Sequence, residues 1–245
     1  MFAALVNKWI DTGDIIFNVH MEDVEQLNQW AGSSFLDVTK MSFNRAISLP
    51  EYSLLSSGSA LGNGCGPLLI AKDQKDLEEI LNGPVALPGQ WTTAHLLFNI
   101  FYPGCRKKEF HIFSDIESLV MNEHVVAGVI IHENRFTYAD KGLIKLSDLG
   151  EAWENQTGLP IPLGGIFAHT RLELDISNAI DRLIKASILF AHHNPDIVLP
   201  YVRQYAQEMN DEVMMDHIRL YVNEFSLDLG ERGYNSIEAL KKAAL

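Results

Sequence analysis

Six consecutive residues, V-A-G-V-I-I at Val126–Ile131, carry five apolar side chains and one glycine, with no polar position among them. A short apolar run without alternation reads as a strand covered on both faces, the kind found in parallel sheets of α/β proteins. The run is followed at once by His132, Glu133, Asn134 and Arg135. In open α/β sheets, ligands bind just beyond the carboxyl ends of the strands. A histidine delivered there can act as a general base, because an imidazole titrates near neutral pH. It can equally end the strand by bonding a backbone carbonyl, and the run alone leaves the two roles evenly balanced. Arg135 and Glu133 are placed to orient His132, or to pair with each other in solvent.

The rest of the chain agrees with an α/β class. Short apolar segments suited to strands occur at Ile15–Val19, Tyr52–Ser56, Pro67–Ala71, Val85–Leu87, Glu109–Ile112, Ala127–His132 and Ile161–Ala168. Between them lie amphipathic segments. E-D-V-E-Q-L-N-Q-W sets Val24, Leu27 and Trp30 at helical spacing behind an acidic first turn. A second helix begins near Thr92 and carries Ala94, Leu97, Phe98 and Phe101. From Glu173 to Leu245 the pattern is almost wholly helical, with breaks at Asn194-Pro195, Met209–Asp211 and Gly230. Ile176, Ile180, Leu183, Ile184 and Ile188 form a core-facing stripe there. Glycine-rich stretches at Gly58–Gly66 and Gly158–Gly165 bracket the middle third. Chain that leaves one lobe and re-enters it at such points makes two lobes with a cleft between them.

Composition narrows the partners. The formal charge of −13 argues against nucleic acid and against anionic membrane surfaces. It leaves an anionic small molecule open, since a few local donors overrule a distant field. No apolar run approaches the ~20 residues that span a bilayer. Cys65 and Cys105 have neither CxxC nor zinc-type spacing, and a reducing cytoplasm fits them. The opening M-F-A-A-L-V-N-K-W is not a secretory signal.

Other candidate residues each carry a structural reading beside a functional one. In Val38–Phe43 a single lysine, Lys40, sits between a short strand and a helix start at Ser42; taken alone it reads as a surface residue. Q-W-T-T-A at Gln90–Ala94 offers Thr92 or Thr93 as a helix N-cap, and a helix N-terminus also suits an anion. S-G-S-A-L-G-N-G-C-G-P, from Ser57 to Pro67, has neither the G-K-[ST] of a P-loop nor a strand–GxGxxG–helix context. Its glycines suit tight bends and close approach of backbone. His192-His193 closes a helix, where histidine is electrostatically favoured. HExxH, GxSxG and kinase motifs are absent.

Taken together, seven stretches resemble the 1,4-dihydroxy-6-naphthoate synthases, enzymes of the futalosine route to menaquinone. They are E-D-V-E-Q-L-N-Q-W, D-V-T-K-M-S-F, G-S-A-L-G-N-G-C-G-P-L, P-G-Q-W-T-T-A, V-I-I-H-E-N-R-F-T-Y, D-L-G-E-A-W-E-N-Q-T-G-L-P-I-P-L-G and Y-V-N-E-F-S-L-D-L-G, in the family's order across nearly the whole chain. The resemblance implies a fold like the type 2 periplasmic binding proteins: two α/β lobes with mostly parallel sheets flanked by helices and a ligand cleft between them. The expected lobes are residues 1–72 with 169–245, and residues 73–168. It implies a lyase that cleaves cyclic dehypoxanthine futalosine to 1,4-dihydroxy-6-naphthoate and a three-carbon fragment, with no metal and no organic cofactor. His132 takes the place of the family's proton acceptor. Lys40, Met41, Ser42, Thr92 and Thr93 take the places of its substrate contacts, where a lysine and a helix N-terminus would hold a carboxylate. The resemblance leaves the oligomeric state open.

Family members begin with a strand and a loop resembling S-P-C-P-N-D-T-F, ahead of the helix that here reads F-A-A-L-V-N-K. About five buried apolar side chains at ~1.5–3 kcal/mol each would go with that strand, so the expectation is a start further upstream, or a fragment. Three alternatives share the fold: a solute-binding protein, a chorismate dehydratase, and a catalytically inactive relative. His132 followed by E-N-R-F-T-Y has no evident use in a receptor, and the H-E-N-R-F-T-Y and Q-W-T-T-A strings fit the naphthoate synthases better than the chorismate dehydratases; the inactive relative stays open if the short N-terminus is genuine.

Overall fold

The computed structural model describes residues 1–205 and 211–245. Its nine strands are β1 (Val38–Ser42), β2 (Tyr52–Leu54), β3 (Ala60–Gly62), β4 (Leu68–Ala71), β5 (Pro84–Leu87), β6 (Lys107–Phe110), β7 (Ala127–Ile130), β8 (Ile144–Asp148) and β9 (Ile161–His169). They form two sheets with helices packed against them. In the first, β1, β2 and β3 all pair antiparallel with the long strand β9. In the second, the order is β6-β5-β7-β4-β8.

The run that opens the sequence argument becomes β7, the central strand of the second sheet, with all four residues buried. Leu68 and Ile70 of β4 and Ile130 of β7 meet Ile116 and Val120 of the helix Ile116–Met121 on one face. Leu69, Val85 and Val129 meet Phe98 and Trp153 on the other. Burial on both faces was therefore legible, but strand direction was not. β5 runs parallel to β6 and β7, whereas β4 is antiparallel to both β7 and β8. An unbroken apolar run reports coverage of two faces and says nothing about which way the neighbours run, so the α/β class holds while the first sheet is antiparallel throughout and the second is mixed.

Sheet membership also shifts the point of crossing. The chain enters the second sheet between Gly62 and Leu68 and returns between Asp148 and Ile161. Both crossings precede the expected boundaries at 72 and 168, because L-L-I-A reads alike whichever sheet it joins. The two crossing segments touch. A Cβ on Gly66 would lie 2.5 Å from the Gly150 Cα and N, so backbone meets backbone with no room for a side chain.

Ile15–Val19, expected as a strand, forms none. Ile15 and Phe17 turn inward onto the cluster around Leu55, Ile166 and Ile184, while Ile16 is 92% exposed. A period of two fixes which side chains point in, but it cannot supply a partner strand. The helix Leu174–His193 buries Ile180, Ile184 and Ile188 as expected; Ile176 sits near its exposed end. Of the expected break at Met209–Asp211, residues 209 and 210 lie outside the described residues, and a helix runs from Asp211 to Tyr221. No helix among the described residues is long and apolar enough to cross a membrane.

Candidate active site

Strand alternation decides which residues of V-T-K-M-S reach the site. In β1, Lys40 and Ser42 line a cavity of about 620 Å³. Met41, between them, points the opposite way, is 0% exposed, and packs into the main core with Phe43 and Phe167. Its side chain is thus core, although its neighbours face the cavity. Ser42 is fixed by Asn28, itself fully buried on the helix Val24–Gly32. The Asn28 Oδ1 accepts the Ser42 N–H at 2.9 Å, and its Nδ2 donates to the Ser42 Oγ at 3.1 Å. The Ser42 hydroxyl is left to donate its own hydrogen.

Thr92 and Thr93 line the same cavity at the start of the helix Thr93–Phe101. Their hydroxyls are committed to the fold. Thr92 Oγ1 caps the helix by accepting the His95 N–H at 3.2 Å and donates to the Gly89 carbonyl at 2.9 Å. Thr93 Oγ1 donates to the Leu163 carbonyl of β9 at 2.6 Å. What this terminus can offer an anion is the backbone N–H groups of its first turn and the positive end of the helix dipole.

His132 lies two residues beyond the end of β7, on the cavity wall. Its φ is +58°, in the left-handed region that few non-glycine residues occupy. Its ring meets Phe113 edge-on at 4.9 Å and His217 at 6.1 Å. Burial, then the His217 ring, then the Lys40 ammonium push the His132 pKa down from 6.5 to about 3. His217 falls to about 4 for the first and last of those reasons. Burial also lowers the pKa of Lys40. The imidazole of His132 is therefore uncharged at neutral pH, with a lone pair free to accept a proton.

Arg135 does not attend His132. Its guanidinium turns to the crossing segments, donating to the Gly66 carbonyl at 2.6 Å and pairing with Asp148 at 3.1 Å. Glu133 stays near both histidines. His192 of the pair read as a helix end also borders the cavity. His217 stands outside every stretch that carries the family resemblance, and Tyr221 enters only as the first residue of Y-V-N-E-F-S-L-D-L-G, with no role of its own. They are four apart on the helix Asp211–Tyr221, both line the cavity, and their rings meet at 4.9 Å. Only their helical spacing hinted at them, and an i,i+4 pair has too many structural explanations to single out.

The two lowered histidine pKa values make a stability prediction. Below pH 6.5 the unfolded chain binds protons that the folded site refuses, so stability falls as pH drops from about 6.5 toward about 4. Urea unfolding across that range should show the decline, and His217→Phe should flatten it. An unchanged slope in that variant would remove His217 as a source.

Residues 1–244 match the family model described as menaquinone biosynthesis. Two curated relatives named 1,4-dihydroxy-6-naphthoate synthase are each 40% identical over 98% of the chain: one from Thermus thermophilus, of which 87% is covered, and one from Streptomyces coelicolor, 86% covered. A solved protein of Archaeoglobus fulgidus superposes with a TM-score of 0.94 at 32% identity, covering 99% of this chain and 90% of that one. At 10% identity, the ligand-binding component of an ABC-type import system from Staphylococcus aureus shares the fold, with a TM-score of 0.62 over 89% of this chain and 77% of its own. With the family model spanning all but the last residue, the chain belongs to the menaquinone-biosynthesis family.

Proposed function

We propose that this protein is a carbon–carbon lyase that converts cyclic dehypoxanthine futalosine to 1,4-dihydroxy-6-naphthoate, the product named in its curated relatives, with His132 as the proton acceptor that starts the cleavage. The observation that carries this reading is the uncharged imidazole of His132 on the same cavity as the partly buried Lys40 and a helix N-terminus. Lys40, the Ser42 hydroxyl and the first-turn N–H groups of Thr93 and Ala94, behind the Thr92 cap, hold the substrate's carboxylate. The apolar part of the remaining wall, which includes Val24, Ile131, Leu163, Ile188 and Val198, takes the ring system. Binding the anion beside Lys40 offsets one of the influences that depress His132 and so strengthens the base when substrate is present. We place the enzyme in the cytoplasm, with a small-molecule carboxylate as its substrate. Its lobes follow the two sheets and differ from residues 1–72 with 169–245 and residues 73–168 only at the crossings.

The deciding experiment supplies cyclic dehypoxanthine futalosine to the purified protein and follows 1,4-dihydroxy-6-naphthoate by mass spectrometry. Product formation is expected; tight binding with no turnover would instead indicate a solute receptor of the same fold. Lys40→Met should raise KM by roughly ten- to a hundredfold, the worth of one hydrogen bond to a charged group, and should change kcat little. Steady-state kinetics checks this, and an unaltered KM would take Lys40 out of the carboxylate site.

A further inference from the structure

Three of the side chains at the end of β7 and on the helix Asp211–Tyr221 have a chemistry that proton transfer does not exhaust. The donor atoms of His132, Glu133 and His217 all lie within 4.8 Å of one another. Two imidazoles and a carboxylate form the donor set of many three-ligand zinc sites, in which the fourth position stays open. Imidazole nitrogen favours Zn²⁺, Cu²⁺ and Ni²⁺ over the hard ions Mg²⁺ and Ca²⁺. Both histidines border the cavity, so an ion can enter and a water or a carboxylate can complete its shell.

We propose that His132, Glu133 and His217 form a binding site for a divalent transition-metal ion such as Zn²⁺, which inhibits the enzyme by occupying the imidazole lone pair of His132. The inhibition rests on the functional reading given above; the binding does not.

Geometry and charge set the strength of such a site. Bonds of about 2.0–2.1 Å in a tetrahedral shell place donor atoms about 3.4 Å apart. Donors spread over as much as 4.8 Å must therefore draw together by side-chain rotation. The Lys40 ammonium acts on both imidazoles and repels a cation at the same place. Glu133 and an anion in the open position offset that repulsion. The site is thus an opportunistic one, weaker than a pre-formed structural zinc centre. It also predicts that a carboxylate ligand and the metal assist each other when the carboxylate completes the shell.

The test begins with protein stripped by a chelator and titrated with Zn²⁺ by calorimetry, with Co²⁺ absorption in the visible as an independent probe of coordination. One ion per chain is expected, together with a cobalt spectrum of low symmetry. His217→Ala should abolish both signals, and Glu133→Gln should weaken binding about tenfold or more. Weaker surface binding, for example at His192-His193, would survive His217→Ala. Circular dichroism establishes that each variant is folded, and Glu133→Gln serves if His217→Ala is not. No binding, or binding that neither substitution alters, overturns the site. In turnover assays Zn²⁺ should inhibit over the concentration range of the binding curve, and chelator should restore activity. Binding at this site without inhibition would keep the metal site and remove His132 from its role as base.

Discussion

His132→Ala should lower kcat by about 10²–10⁴-fold, the usual contribution of a positioned acid or base, while the dissociation constant for substrate changes by no more than a few-fold. The partition follows from where the side chain sits. In the proposed function the carboxylate is held by Lys40, Ser42 and the first turn of the helix Thr93–Phe101, all on elements other than β7. Losing the imidazole removes the acceptor and leaves the clamp. His132→Gln retains a polar side chain of similar reach that cannot take a proton at neutral pH, so it should be as inactive as alanine. Stopped-flow or single-turnover measurement of the chemical step, beside calorimetric binding, separates the two quantities. A variant that keeps a tenth or more of the parent kcat would exclude His132 as the base.

Asp148→Ala is expected to cost about 3–5 kcal/mol of folding stability, the penalty for leaving one member of a buried ion pair alone. That is a large share of the roughly 5–15 kcal/mol available to a domain. Asp148 is 8% exposed and its carboxylate has two tasks. Oδ1 caps the helix Leu149–Thr157 by accepting the N–H groups of Gly150 at 2.9 Å and Glu151 at 3.1 Å. Oδ2 receives the Arg135 guanidinium at 3.1 Å. Alanine removes the cap and leaves a half-buried guanidinium with only neutral partners, the Gly66 carbonyl and the Tyr221 hydroxyl. Asp148→Asn keeps an oxygen for the cap and should lose clearly less. Urea unfolding of the three proteins tests the ordering; equal stability of the parent and the alanine variant would show that the pair contributes nothing.

Much of this was legible in the sequence, and what was missed follows from what sequence patterns encode. Period and apolar content placed β4, β5, β7 and β9, because burial acts on side chains and leaves its imprint in residue type. Pairing does not. β6 is an edge strand whose K-K-E-F is mostly exposed, so its polar residues blurred its limits. β8, I-K-L-S-D, alternates as a strand should, but its two apolar side chains stand out less than the apolar runs elsewhere in the chain. Lys40 and Ser42 became meaningful through the alternation of β1, which also removes the Met41 side chain from the cavity. His217 and Tyr221 could not be found by local reasoning. Their approach to His132 spans more than eighty positions of chain and depends on how the C-terminal helices return over the cleft.

The left-handed backbone of His132 carries a consequence for how the protein can vary. At φ +58° an L-residue bears strain of order 1 kcal/mol or more that glycine does not. His132→Gly should therefore be more stable than His132→Ala, even though both are inactive, and thermal unfolding of the pair would reveal it. Ranked on stability alone, a search through substitutions at this position would drift toward glycine and erase the base. If His132 is the base proposed above, its imidazole stands there against the preference of the fold, and only the chemistry can hold it in place.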